Sequence, residues 1–172
     1  VIGGGLTAIG LLTAYGEMEL QLAPAFAALS ISFYSLANGL GRPIVGWLAD
    51  RWGTIRVMMG AYVIQGIIFL ILPWVATSPL LLFSCSLLLG LGYATTFALF
   101  PVVVAKVSGT KHLGMNYGLV FSAFGMGAIT SLIGSWLLDA TGSFDSAFLL
   151  AGFATVFGLL LLYILYKKFL VR

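Results

Sequence analysis

The sequence predicts an all-α protein whose helices cross a membrane several times. Of its 172 residues 61% are hydrophobic and 8% are charged, and the mean hydropathy is +1.13. A soluble domain of this length would expose much of that apolar surface to water. Apolar runs long enough to span a bilayer recur along the chain and are joined by short polar connections. We therefore predict a polytopic helical bundle.

Hydropathy places the helices in order along the chain. The predicted ranges are 1–15, 24–49, 55–75, 79–105, 113–138 and 145–167. At 1.5 Å per residue the first helix is about 22 Å long, which is short of a hydrocarbon core of about 30 Å. No initiator Met and no signal-peptide pattern precede it. We expect this first helix to be truncated and an upstream part of the protein to be absent from the chain.

The charged residues separate onto the two sides of the predicted bundle. Alternate connections carry the bases Arg51, Arg56, Lys106, Lys111, Lys167, Lys168 and Arg172, with His112. The remaining connections carry Glu17, Glu19, Asp139 and Asp145 and no Lys or Arg. Because cytoplasmic loops are enriched in Lys and Arg, this pattern predicts that the basic connections and the C-terminus are cytoplasmic.

Several functional classes are disfavoured by the composition. The bases form no stripe interleaved with aromatic residues, which argues against a nucleic-acid partner despite the net charge of +3. Cys85 is the sole cysteine, so neither an intrachain disulfide nor a Cys/His metal cluster is expected. His112 lies in a loop, and no acid pair lies within a span, so intramembrane enzyme chemistry is disfavoured. No cofactor is expected.

The second predicted helix contains Arg42, the one charge in the apolar body of a predicted span. Insertion scales give a cost of about 2.5 to 3.5 kcal/mol for such an arginine, and intramembrane charges usually have a function. Asn38 lies one turn before it on the same face, with Tyr34 at the edge. A guanidinium can bind a carboxylate through two parallel hydrogen bonds. Two alternatives remain: Arg42 caps carbonyls freed by Pro43, or it pairs with an acid elsewhere.

The fourth predicted helix presents an aromatic and polar face. Tyr93, Thr96, Phe97 and Phe100 have the i, i+3, i+4, i+7 spacing of one helix face, and Pro101 follows as a kink. Such a stripe serves either as helix packing or as the wall of a pocket, and spacing alone does not decide between them. On the fifth helix, closely spaced glycines and small polar residues indicate close helix contact.

The connection between the second and third helices carries a motif. Residues 46–56 read GWLADRWGTIR, which resembles the G-x-L-A-D-R-x-G-R-(K/R) pattern of the major facilitator superfamily, with Thr54 replacing the first of the two final bases. The resemblance implies a six-helix half of that superfamily's fold. It also implies a gating role for Gly46, Asp50, Arg51 and Gly53. An ordinary basic turn with a capping Asp is the alternative.

A closer resemblance covers most of the chain. The segments ANGLGRP at 37–43, ALFP at 98–101, NYG at 116–118 and DATGS at 139–143 are similar to the C-terminal half of the oxalate/formate antiporter family, which is monocarboxylate-transporter-like. This implies that the spans are the seventh to twelfth and that Arg42 binds an organic anion beside Tyr93 and Phe97. Phe124 replaces a lysine of the oxalate-transporting type, which favours a monocarboxylate over a dicarboxylate.

The expected function is alternating-access exchange of small organic anions, with monocarboxylates as the favoured substrates. The expected binding residues are Tyr34, Asn38, Arg42, Tyr93, Phe97 and Phe124. The expected partners are the anion, the lipid bilayer and a missing N-terminal half of the protein. The expected location is the plasma membrane, of the bacterial inner-membrane type. Two alternatives stay open: a proton-coupled symporter whose acid lies in that half, and a non-transporting membrane interaction subunit.

Overall fold

The computed structural model describes residues 1–169 and is helical throughout that range apart from short connections. The helices are α1 Ile2–Met18, α2 Pro24–Ala27, α3 Leu29–Trp52, α4 Thr54–Val75, α5 Pro79–Ser108, α6 Leu113–Thr141 and α7 Phe144–Phe169. No strand occurs among these residues. Arg172, which the charge pattern assigns to the basic side, lies outside the described residues. The all-α prediction is confirmed.

The predicted second helix is interrupted at Ala28, which separates the single turn α2 from the long helix α3. Two serine hydroxyls donate to backbone carbonyls at this point: Ser30 Oγ to Ala27 O at 2.7 Å and Ser32 Oγ to Ala28 O at 3.2 Å. The backbone bond from Ser32 N to Ala28 O is also present, at 3.2 Å. The interruption is therefore confined to Ala28, and a hydropathy window does not resolve a break of one residue.

At its other end α3 continues to Trp52, three residues beyond the predicted end at position 49. Gly53 alone separates it from α4, and its φ of +92° lies in the region that favours glycine. Most of the sequence motif is thus helical rather than part of a loop. The helix continues because no residue before Gly53 breaks it.

Two contacts fix which helix ends lie together. Lys106 Nζ donates to Thr54 Oγ1 at 2.8 Å, which places the C-terminal end of α5 beside the turn between α3 and α4. At the opposite end, Tyr15 Oη donates to Pro73 O at 3.2 Å, which joins the C-terminal ends of α1 and α4. Successive long helices therefore run in alternating directions, and the basic connections lie at one end of the bundle.

The packing pattern repeats between the two halves of the chain. The most extensive helix pairs are α3 with α5, α4 with α7, and α1 with α6. The repeat relates α1 to α5, α3 to α6 and α4 to α7. Under this exchange the α3–α5 pair becomes the α1–α6 pair, and the α4–α7 pair maps onto itself. Because the exchanged helices run in opposite directions, the six long helices form two inverted three-helix repeats, an arrangement frequent in membrane carriers.

Four of these helices are long and apolar enough to cross a membrane on length and composition alone: α4, α5, α6 and α7. The other two long helices lack one of those properties. α1 has 17 residues, and α3 carries three serines in its N-terminal third and Asn38 and Arg42 near its middle. Both nevertheless pack among the four spans. The protein is a multi-pass membrane protein.

Glycines permit a very close crossing of α1, α3 and α5. A Cβ at Gly90 would collide with the backbone carbonyl of Tyr34, and one at Gly5 would collide with the ring of Tyr93. Nearby, Gln65 is fully buried at the contact between α4 and α5, and neither of its amide atoms has a hydrogen-bond partner among the described residues. The helices are therefore tightly packed at this crossing, and the amide of Gln65 is unsatisfied among the described residues.

Candidate functional site

Arg42 lies on α3 at the edge of the face that packs against α5, and its side chain is exposed. Its Cζ atom lies 5.3 Å from the centroid of the Phe97 ring. Among the described residues this is the one interaction of the guanidinium, so no fixed carboxylate and no backbone oxygen satisfies it. Capping of the carbonyls freed by Pro43 is therefore not observed. The charge is available to an anion.

Four rings form an aromatic cluster beside this charge: Tyr93, Phe97, Phe121 and Phe124. Phe97 is its centre, with ring centroids 4.9 Å from Tyr93, 5.7 Å from Phe124 and 6.2 Å from Phe121. Phe121 and Phe124 stack on each other with centroids 5.2 Å apart and planes 16° apart. The structure thus brings a cation from α3, two rings from α5 and two rings from α6 to one place.

Tyr34 and Tyr93 form the buried side of this site. Their rings are 1% and 3% exposed, and their centroids lie 5.8 Å apart. The Tyr34 hydroxyl donates to the carbonyl of Gly5 at 3.2 Å. A hydroxyl already used in helix packing is less available to a ligand than an open one. The structure therefore places Tyr34 behind Tyr93 as a support, and Phe97 and Phe124 nearer to the open side.

Asn38 lies one helical turn from Arg42 and is half-buried. Its side-chain oxygen Oδ1 is buried without a hydrogen-bond partner among the described residues. Buried polar atoms normally find a partner in protein or water. The amide therefore adds an unsatisfied polar group to the same helix face as Arg42.

Two cavities lie near the cluster, and they differ in their lining. The smaller, about 70 Å³, is bounded mainly by Phe97, Phe121, Phe124 and Tyr117, with Thr96 at its side. The larger, about 980 Å³, is lined by none of the four cluster rings and lies between the start of α1 and the ends of α4, α5, α6 and α7 that carry the basic connections. Its lining includes no Lys or Arg side chain that could bind an anion. The smaller one can accept the apolar part of a molecule whose charged end lies at Arg42.

Comparison with known proteins assigns the chain to a family. The model of the Major Facilitator Superfamily matches residues 1–170. The chain belongs to that superfamily. The recognition of the motif and the predicted half-fold are thereby confirmed.

Several relatives within the Major Facilitator Superfamily are named as transporters. Monocarboxylate transporter 12 of Mus musculus is 35% identical over 144 residues, which cover 79% of this chain and 29% of that protein. An MFS-type transporter, YhjX, of Escherichia coli (strain K12) is 28% identical over 125 residues, covering 73% and 31%. An MFS-type transporter of Gibberella moniliformis is 27% identical, covering 78% and 32%. The chain thus spans about three tenths of their length.

The superfamily motif lies at the basic end of the bundle. Arg51 stacks on Trp47, with Cζ 5.5 Å from the ring centroid, and both side chains are exposed. Asp50 is exposed and has no ion pair within residues 1–169. No atom of the described residues lies within 4 Å of a Cβ built on Gly46. Asp50 and Arg51 therefore have no ion pair among the described residues, and the gating role of the motif stays a prediction.

The sequence interpretation did not name Phe121 as a site residue, although the structure places it in the aromatic cluster. It precedes Phe124 by three positions, the spacing of neighbours on one helix face. Tyr117 continues that face toward the N-terminal end of α6, with its ring centroid 5.6 Å from that of Phe121. The spacing was therefore visible in the sequence, but nothing in the sequence shows that this face of α6 meets Phe97.

Proposed function

We propose that the protein containing this chain exchanges small organic anions, with monocarboxylates as the favoured class, across a membrane by alternating access. The observation that supports this most strongly is the exposed guanidinium of Arg42, which faces a ring and no fixed counter-charge. A carboxylate is the ligand that a guanidinium binds best, through two parallel hydrogen bonds. The substrate carboxylate then lies at Arg42, with Asn38 one turn away.

The surroundings of Arg42 favour one negative charge over two. Beyond the guanidinium the walls of the smaller cavity are the rings of Phe97, Phe121 and Phe124, and a second carboxylate would be desolvated there without a cation. Burial of an unpaired charge is strongly unfavourable. The relatives named as monocarboxylate transporter 12 support the same choice. The apolar part of the substrate packs against the rings.

The exchange mode follows from the electrostatics of the same site. A guanidinium that holds a carboxylate is neutralised and can be enclosed as the carrier changes conformation, whereas an empty one is penalised in an apolar surround. The loaded carrier therefore crosses more readily than the empty one. No Asp or Glu among the described residues pairs with Arg42, which supports exchange of anions over coupling to a proton at this position.

Counterflow in proteoliposomes that contain the full-length protein tests this proposal. Vesicles loaded with unlabelled formate, acetate or benzoate are diluted into the labelled anion. We expect transient accumulation in the wild type. Arg42→Gln should abolish it, and Arg42→Lys should reduce it at least tenfold because lysine lacks the planar fork.

Lys111→Gln is the matched control, because Lys111 is exposed in the connection between α5 and α6 and its loss removes one positive charge outside both the site and the superfamily motif. It should retain most of the counterflow. Unchanged counterflow in Arg42→Gln would exclude Arg42 from the mechanism. An absence of counterflow in the wild type for every anion of this series would overturn the proposal in favour of a non-transporting subunit or a different substrate class.

A further inference from the structure

The contact between Arg42 and Phe97 joins a charge without a counter-ion to the face of an aromatic ring. The guanidinium carbon lies 5.3 Å from the ring centroid, inside the distance of about 6 Å at which the negative face of a ring attracts a cation. Arg42 comes from α3 and Phe97 from α5, so the contact crosses the most extensive helix interface of the bundle.

Neighbouring rings hold the Phe97 ring in place. Tyr93 meets it at an interplanar angle of 76° and Phe121 at 63°, both in edge-to-face geometry. Phe124 meets it at 60°. A ring fixed on three sides has little freedom to turn away from the cation, and edge-to-face contacts are a favoured arrangement of aromatic pairs. Phe97 therefore presents its face to Arg42 as a preformed feature.

A ring and a carboxylate stabilise the same cation to different extents. The ring offers only a quadrupole, while a carboxylate offers a full charge and two hydrogen bonds. An arriving carboxylate should therefore displace the guanidinium from the ring. When the carboxylate leaves, the ring is the nearest group that lowers the electrostatic penalty of the bare charge. The two partners of Arg42 correspond to the loaded and the unloaded carrier.

We propose that Phe97 is the resting partner of Arg42 in the unloaded carrier and thereby sets how readily the empty carrier changes its orientation. This rests on the exchange function proposed above and adds a role for the ring that is separate from contact with the substrate. A group that stabilises the Arg42 cation more strongly should speed net transport, which needs the empty carrier to reorient, relative to exchange. A group that stabilises the cation less should make transport depend more strictly on exchange.

The measurement that isolates this role is the ratio of net efflux to exchange in proteoliposomes of the full-length protein. Vesicles are loaded with whichever labelled anion, formate, acetate or benzoate, gives the fastest counterflow. Efflux is followed into buffer without anion and into buffer that contains the unlabelled anion. Loss of the ring in Phe97→Leu should lower the ratio of net efflux to exchange about 30-fold, the scale of a desolvated cation–π contact.

Further variants keep the test independent of folding and of the substrate contact. Phe97→Met removes the ring and keeps a long apolar side chain, so it should lower the ratio as Phe97→Leu does. Phe97→Tyr keeps the ring face and should leave the ratio within about twofold of the wild type. Phe121→Leu removes one of the rings that hold Phe97 but leaves the ring that faces the cation, so it should lower the ratio much less than Phe97→Leu does.

The outcomes separate this inference from the function on which it rests. Exchange that persists in Phe97→Leu and Phe97→Met with an unchanged ratio would overturn the resting role of the ring and leave the carrier proposal intact. An equal fall in the ratio for Phe121→Leu would also overturn it, because the effect would then belong to the aromatic cluster as a whole. Absence of exchange in the wild type would overturn both.

Discussion

At the scale of single residues, the site depends on one charge that this half of the protein does not neutralise. The sequence predicted Arg42 and Phe97 separately, the first from its depth in a span and the second from a resemblance. It did not predict that they touch, because they lie 55 positions apart on different helices. Their meeting depends on how α3 packs against α5, and helix pairing is not encoded in the local pattern of either helix.

Phe124 provides a direct test of the predicted preference for one negative charge. Its ring lies 5.7 Å from that of Phe97, so a lysine at this position would place a second cation near Arg42. We expect Phe124→Lys to raise counterflow of oxalate relative to acetate at least tenfold, because the second carboxylate would gain a partner. Labelled-anion counterflow with the purified full-length protein measures this ratio.

Phe124→Met is the control for the loss of the ring without a gain of charge. It should leave oxalate as poor a substrate as in the wild type. If Phe124→Met raised the relative rate of oxalate as much as Phe124→Lys, the volume of the site rather than its charge would decide selectivity.

At the scale of helices, hydropathy located each long helix because uninterrupted apolar runs leave little ambiguity. It failed where local chemistry decides the boundary. The break at Ala28 is one residue long, and the extension of α3 to Trp52 depends on the absence of a breaker before Gly53. These are effects over one turn, while a hydropathy window averages over several turns.

The crossing of α3 and α5 should be intolerant of a single added methyl group. A Cβ at Gly90 would collide with the backbone carbonyl of Tyr34, which cannot rotate away as a side chain can. We expect Gly90→Ala to lower the free energy of unfolding by about 1 to 3 kcal/mol and to reduce anion counterflow through displacement of α3. Thermal unfolding of the full-length protein in detergent, followed by tryptophan fluorescence, measures the stability change.

Gly60→Ala makes the same substitution on α4, where no atom of the described residues lies within 4 Å of the added Cβ. Its unfolding midpoint should stay the same or rise slightly, since Ala favours a helix over Gly. Equal destabilisation by both variants would show that the loss comes from glycine itself and not from the crossing.

At the scale of the whole molecule, the chain is a half that contains two inverted repeats. The separation of basic from acidic residues along the sequence predicted that alternate connections lie on the same side of the membrane. The structure places two such connections together through the hydrogen bond from Lys106 to Thr54. Which end faces the cytoplasm is still a prediction from charge, because the packing of the helices is the same in either orientation across the membrane.

Cysteine labelling tests that orientation with a matched pair. Thr77 lies in the connection between α4 and α5 and Thr110 in the connection between α5 and α6, and both are exposed. In a Cys85→Ala background we expect a membrane-impermeant maleimide to label Thr77→Cys in intact cells, and Thr110→Cys after permeabilisation. The opposite pattern would reverse the topology and place the basic connections outside, against the positive-inside rule.

Among the described residues of α6, only Gly134 is buried, although the helix runs from Leu113 to Thr141. It meets α1 through small residues such as Gly127, where the backbone of Gly3 lies close. Because glycines line this contact between α6 and α1, we expect that α6 can tilt with the displacement of few packed side chains. Because α6 carries Phe121 and Phe124, a modest tilt would part them from Phe97 and open the aromatic wall. We therefore expect α6 to be the helix whose displacement would expose the Phe97 ring.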